Sequence, residues 1–145
     1  MPGLPYPVHL IVATHGLWGA PQHIAYVGEA ALKHAARANA PRSRTAPHED
    51  NVKLVVLAAK SNSADWTWTY DGVDVMADRV VEEIDDKIKE IARDGGKVTR
   101  FSMVGYSLGG LVARYTLGLL DSRTPSFFDE VTPVNFTTFA SPWIG

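Results

Sequence analysis

Apolar positions along the chain fall into short unbroken runs that alternate with longer stretches at helical spacing. Val8 to Thr14 is almost continuously apolar, as expected of a parallel strand covered by helices on both faces. It gives way at His15-Gly16-Leu17-Trp18-Gly19 to alanine-rich Pro21 to Ala38. There Ile24, Val27, Ala31, Leu32 and Ala35 recur near helical spacing, and Pro21 suits the first helical position. A connection from Asn39 to Asn51 with two prolines leads to a second strand-like run, Val52 to Ala59. A polar and aromatic loop, Ser61 to Asp74, precedes a second helix over Val75 to Arg93, whose apolar stripe is Val80, Ile84, Ile88 and Ile91. Asp74 is expected to cap that helix, Gly95-Gly96 to stop it, and Glu83 to pair with Lys87 at i, i+4. Val98 to Gly105 reads as a third strand, Leu108 to Leu120 as a third helix and Pro133 to Ala140 as a fourth strand. Strict strand–helix alternation predicts a parallel sheet with right-handed crossovers and helices on both faces.

Composition bounds this picture without changing it. A chain of 145 residues, 46% hydrophobic and 21% charged, is ordinary for one soluble domain. A net charge of −2 gives no nucleic-acid footprint, and the absence of cysteine excludes disulfides, thiolate metal sites and a cysteine nucleophile. Met1 to Pro7 holds three prolines and no basic residue, and no apolar run has signal-peptide or membrane-spanning length. A cytoplasmic location is therefore the expectation, with any membrane contact peripheral.

The chemistry concentrates at Gly105-Tyr106-Ser107-Leu108-Gly109, a G-x-S-x-G pentapeptide. Alone the pattern is weak, but here it falls at a strand-to-helix junction, where glycines leave room for a sharp turn that projects Ser107 above the carboxyl edge of the sheet. That makes Ser107 the candidate nucleophile, with the positive end of the following helix beneath it. The turn His15-Gly16-Leu17-Trp18-Gly19 lies at the same edge, so the N–H groups of Leu17 and Leu108 are the candidate oxyanion donors. Gly105, Gly109, His15 and Gly16 are read as supports of the elbow and turn.

Four blocks in order resemble the serine esterase or lipase-like family of α/β-hydrolases, which includes fungal lipid-ester hydrolases. They are Val12 to Gly19, Thr69 to Met76, Val104 to Tyr115, and Asn135 to Pro142. The resemblance runs through nearly the whole chain and implies an α/β-hydrolase fold in a single, partial domain spanning residues 1–145. It also implies cleavage of carboxylic esters of lipids through an acyl-Ser107 intermediate, with no cofactor and no metal. Peripheral association with membranes or lipid droplets is a further implication. Two positions depart from the pattern: Tyr106 stands where relatives often have His, and Trp143 follows Ser141-Pro142 where relatives often have His after Thr-Pro.

The family places an Asp and then a His after the serine, yet no His follows Ser107 in this sequence. The resemblance thus implies a chain truncated after the strand beyond the nucleophile helix, lacking a C-terminal segment with the triad acid and base. Its last strand is expected to form an apolar edge, and the 145 residues alone are expected to be inactive. Among the histidines present, His9 and His48 belong to the amino edge, away from Ser107, and His34 to the middle of a helix. His15 and His23 lie at the correct edge as part of the turn and of a helix start. Asp65, Asp71 and Asp74 sit near that edge too, where turn and capping roles suit them better. Trp18, Trp66, Trp68 and Tyr70 are candidates for an acyl or membrane-facing pocket, core packing being the commoner role of such rings. No paired-carboxylate, metal-ligand or nucleotide-loop spacing is present. The rival reading is a non-catalytic pseudoenzyme or lipid- or protein-binding module that keeps the elbow without its base. Another keeps catalysis but obtains the missing strands from a second chain.

Overall fold

The computed structural model describes residues 3–17, 19–38, 52–62 and 71–144. Trp18, Asp65, Trp66, Trp68, Tyr70 and the whole Asn39 to Asn51 connection, with His48, lie outside the described residues. Four strands, β1 (Tyr6–Thr14), β2 (Lys53–Ala58), β3 (Gly96–Tyr106) and β4 (Thr132–Phe139), alternate with three helices, α1 (Pro21–Ala38), α2 (Val73–Arg93) and α3 (Leu108–Asp121). All strand pairs are parallel and the spatial order is β2-β1-β3-β4.

One face of the sheet and two helices enclose the core. Val8, Leu10 and Val12 of β1 and Phe101 and Met103 of β3 meet Met76, Ala77, Val80 and Ile84 of α2 and Val112, Ala113 and Leu120 of α3. Burying Val80 and Ile84 contributes about 1.5–3 kcal/mol each. Val55 and Leu57 of β2 pack against this core. Val56 points the other way, by the two-residue alternation of a strand, and meets α1. A side chain at Gly28 of α1 would come within 2.8 Å of the Val56 methyl, so glycine there permits the close approach. The sheet therefore carries helices on both faces. Of the predicted α1 stripe, Ile24 is buried but Leu32 is exposed. At 100° per residue Leu32 stands roughly 80° from Ile24, on the flank of the contact face.

Three elements begin two residues earlier than their apolar patterns predict. The register pairs Tyr6 with Gly96 and Pro7 with Lys97, so backbone pairing extends β1 and β3 beyond their apolar runs. Helix α2 begins at Val73 with Gly72 as its cap and no side-chain cap bond, which places Asp74 inside the first turn and corrects its expected capping role. The Glu83–Lys87 pair does not form as expected. The Glu83 carboxylate accepts the N–H groups of Lys60 (3.0 Å) and Ser61 (2.6 Å), pinning the turn after β2, and Lys87 pairs with Glu90 instead. Gly95, at φ 81°, ends α2 in the left-handed conformation that favours glycine, whereas Gly96 already belongs to β3. Among the described residues no helix is long and apolar enough to cross a membrane.

On the α1 side of the sheet, His9 lies half-buried with Nε2 2.8 Å from the Ser102 hydroxyl. Burial, and secondarily the Arg100 charge, push its pKa below the ordinary value of 6.5. The unfolded chain then binds a proton at His9 more readily than the folded one, so stability rises with pH through this interval. The contribution is complete above pH 6.5 and is lost as pH falls from there towards the depressed folded value. Urea unfolding between pH 7 and pH 5 should show this loss, with a smaller loss in His9→Asn; parallel curves for the two proteins would refute the assignment.

Candidate active site

The strand order places β2 on one side of β1 and β3 on the other, so the loops leaving β1 and β3 part in opposite directions. In open parallel sheets, ligands bind in the crevice this divergence creates at the carboxyl ends of the strands. Ser107 stands there, between the last residue of β3 and the first of α3, at φ 53° and ψ −126°. It and Ala140 are the non-glycine residues with positive φ among those described. Such a backbone costs on the order of 1–3 kcal/mol and persists only where its surroundings impose it.

Those surroundings are tight. A Cβ on Gly105 would lie 2.5 Å from the Gly110 Cα, and one on Gly109 would strike the carbonyl oxygens of Thr14 and His15. One on Gly16 would lie 2.8 Å from the Ser107 Cβ and 3.4 Å from its Oγ. Glycine at these positions lets the turn after β1, the elbow and the first turn of α3 touch through backbone. Thr14 fastens the contact, its hydroxyl donating to the Gly109 carbonyl at 2.7 Å. Sequence reasoning passed over Thr14, whose only signal was a hydroxyl ending an apolar strand.

His15 is buried and its Nδ1 lies 3.0 Å from the Gly16 carbonyl, an arrangement that requires the proton on Nδ1. The Gly19 N–H donates to the same carbonyl at 2.9 Å, so the turn is tied from both sides. Leu17 sits within this turn, 44% exposed at the site's rim. Leu108 opens α3, where first-turn N–H groups lack intrahelical partners and the helix dipole presents its positive end. An anion forming on an acyl group at Ser107 would meet that pole.

The end of β4 and the segment after it hold the elbow. The Ser107 N–H donates to the Phe139 carbonyl at 2.8 Å, and the Ser141 hydroxyl donates to the Ser107 carbonyl at 2.9 Å. Below, Thr14, His15, Ala59, Asn62, Met76 and Val112 line a small cavity, with buried Asn62 donating to the Met76 carbonyl. Asn62 carried no sequence signal, because its role depends on the start of α2 lying beside the turn after β2.

Residues 5–145 match the model of the family described as "Putative serine esterase (DUF676)". The chain belongs to this serine esterase family. It is 31% identical over 138 residues to "Putative lipase ROG1" of Saccharomyces cerevisiae, covering 94% of this chain and 17% of that protein. It is 28% identical to "Putative lipase YDL109C" of the same yeast, with 94% and 18% covered, and 27% identical to "Putative lipase C4A8.10" of Schizosaccharomyces pombe, with 94% and 16% covered. The chain thus spans about a sixth of the length of these curated relatives. No solved structure is a significant match.

In this esterase-family chain three of the described histidines, His9, His15 and His23, bond to groups other than Ser107. His9 contacts Ser102 and His15 ties its own turn. The Nδ1 of His23 accepts the Ala20 N–H at 3.2 Å, and His34 is exposed on α1. Asp71 pairs with Arg79. Among the described residues no group of three His, Cys, Asp or Glu side chains is placed to hold a metal ion. β4 forms one edge of the sheet, with Val134, Phe136 and Phe139 about half exposed.

Proposed function

We propose that the polypeptide carrying this chain hydrolyses carboxylic esters of lipids through an acyl-Ser107 intermediate. The observation that carries this reading is the backbone of Ser107, held at φ 53° at a strand–helix junction with Gly16 against its hydroxyl. The Ser107 Oγ attacks the ester carbonyl carbon while a base takes its proton, and the carbonyl oxygen becomes an oxyanion between the N–H groups of Leu17 and Leu108. Collapse expels the alcohol, which regains a proton from the base, and water then cleaves the acyl-serine by the same route. Base and orienting acid are supplied from outside the 145 residues, in keeping with relatives about six times as long. The lipase names of those relatives support a lipid substrate, and Leu17, Tyr106 and Phe139 offer half-exposed apolar surface beside Ser107 for peripheral contact with a membrane or lipid droplet.

A fluorophosphonate probe tests the reading directly. The native full-length polypeptide should be phosphonylated at Ser107, located by peptide mass spectrometry, and the isolated 145 residues should remain unlabelled. A full-length protein that resists the probe yet binds lipid vesicles equally well with Ser107→Ala would establish the non-catalytic reading, for which the bonding of His9, His15 and His23 to other partners speaks.

A further inference from the structure

The Ser107 carbonyl is the acceptor on which the elbow turns. It receives the Gly110 N–H at 3.0 Å, within the first turn of α3, and the Ser141 hydroxyl at 2.9 Å from a segment 34 residues away, so both of its lone-pair sites are engaged. The peptide unit joining Ser107 to Leu108 is trans and planar, which makes the carbonyl and the Leu108 N–H opposite ends of one rigid plate. Holding the oxygen fixes the direction of that N–H.

Ser141 is itself held. The chain reverses at Ala140, φ 51°, directly after Phe139 accepts the Ser107 N–H. The Trp143 N–H bonds to the Ser141 carbonyl at 3.0 Å, and the Trp143 indole N–H donates to the Thr138 hydroxyl at 3.0 Å. The Arg114 guanidinium of α3 lies 5.6 Å from the centre of the indole ring. Gly110 leaves the space this needs, since a side chain there would run into the Ser141 hydroxyl. Ser107 is therefore bonded on both sides to the residues that flank Ala140, its N–H to the Phe139 carbonyl and its carbonyl to the Ser141 hydroxyl, and both Ser107 and Ala140 have positive φ.

We propose that Ser141 is a positioning residue of this site, its hydroxyl orienting the Ser107–Leu108 peptide so that the Leu108 N–H points at the oxyanion. The proposal rests on the reading of Ser107 as nucleophile. With the hydroxyl gone, a single first-turn bond restrains the plate, and the donor wanders from the direction in which charge develops. Such a loss weakens transition-state binding and leaves ground-state binding intact, so it falls on kcat and spares KM.

The test compares wild type, Ser141→Ala, Ser141→Thr and Ser107→Ala in the native full-length polypeptide, with p-nitrophenyl butyrate as substrate and amide hydrogen exchange as a second readout. Ser141→Ala should lower kcat about 30-fold with KM unchanged, less than the roughly 100-fold or more of deleting an oxyanion donor outright. Ser141→Thr, which restores a hydroxyl, should recover most of the rate. Exchange at Gly110, whose N–H bonds to the Ser107 carbonyl, should quicken about tenfold in Ser141→Ala, on the order of one weakened hydrogen bond, while amides of β1 keep their protection. Wild-type kcat or wild-type exchange at Gly110 in Ser141→Ala would overturn the proposal, as would a rate loss accompanied by exposure of the β1 amides, which marks a general structural role. Undiminished activity in Ser107→Ala would defeat the proposed function instead, and the exchange at Gly110 would still decide whether Ser141 fixes the peptide.

Discussion

Ser107→Gly is expected to abolish ester hydrolysis by the native polypeptide and to make the fold more stable by about 1 kcal/mol. The two effects have one cause. Serine at φ 53°, ψ −126° carries a strain on the order of 1–3 kcal/mol that glycine, without a Cβ, does not feel. Glycine gives back roughly 0.5–1 kcal/mol through the greater freedom of its unfolded chain, which leaves a net gain. The contacts of the side chain do not reverse the sign, since the hydrogen bonds that hold the residue run through its N–H to Phe139 and its carbonyl to Gly110 and Ser141, and glycine retains both groups. Activity should fall by a factor of about 10⁴ or more, as for other deleted nucleophiles. Urea unfolding and kcat on the same preparation check both signs. A less stable glycine variant would show that the elbow is not strained, and a catalytically competent one would remove Ser107 from the chemistry.

The fold was legible because a parallel sheet covered on both faces writes itself as unbroken apolar runs such as Val8 to Thr14, separated by stripes such as Val80, Ile84 and Ile91. Its limits were not, since Tyr6 and Gly96 join their strands through backbone pairing that leaves no apolar mark. Glu83 shows how local spacing is overruled: a carboxylate placed for Lys87 finds two peptide N–H donors at Lys60 and Ser61 that only the packing of α2 brings near. Ser107 stood out because the conformation it needs requires glycines within a few residues of it. Thr14 and Ser141 act on carbonyls 95 and 34 residues distant, and no local pattern encodes such a bond.

The glycines of α3 and its approach should separate into opposite classes. Gly105→Ala is expected to cost about 3 kcal/mol, the upper end of overpacking penalties, and Gly118→Ala to add up to about 1 kcal/mol. A methyl on Gly105 would stand 2.5 Å from the Gly110 Cα and 2.7 Å from the Gly109 carbonyl and the Gly110 nitrogen, all of them backbone. No rotamer can relieve that clash, so α3 must lift from β3 and loosen the contacts of Val112 and Ala113 with the core. Gly118 lies on the exposed side of the same helix with nothing within 4 Å of the added carbon, and alanine there only removes the cost of a flexible residue in a helix. Urea midpoints of the two variants should move in opposite directions from wild type. A Gly105→Ala protein of unchanged stability would mean that β3 and α3 do not approach through bare backbone, and the tight seating of the elbow would fall with that contact.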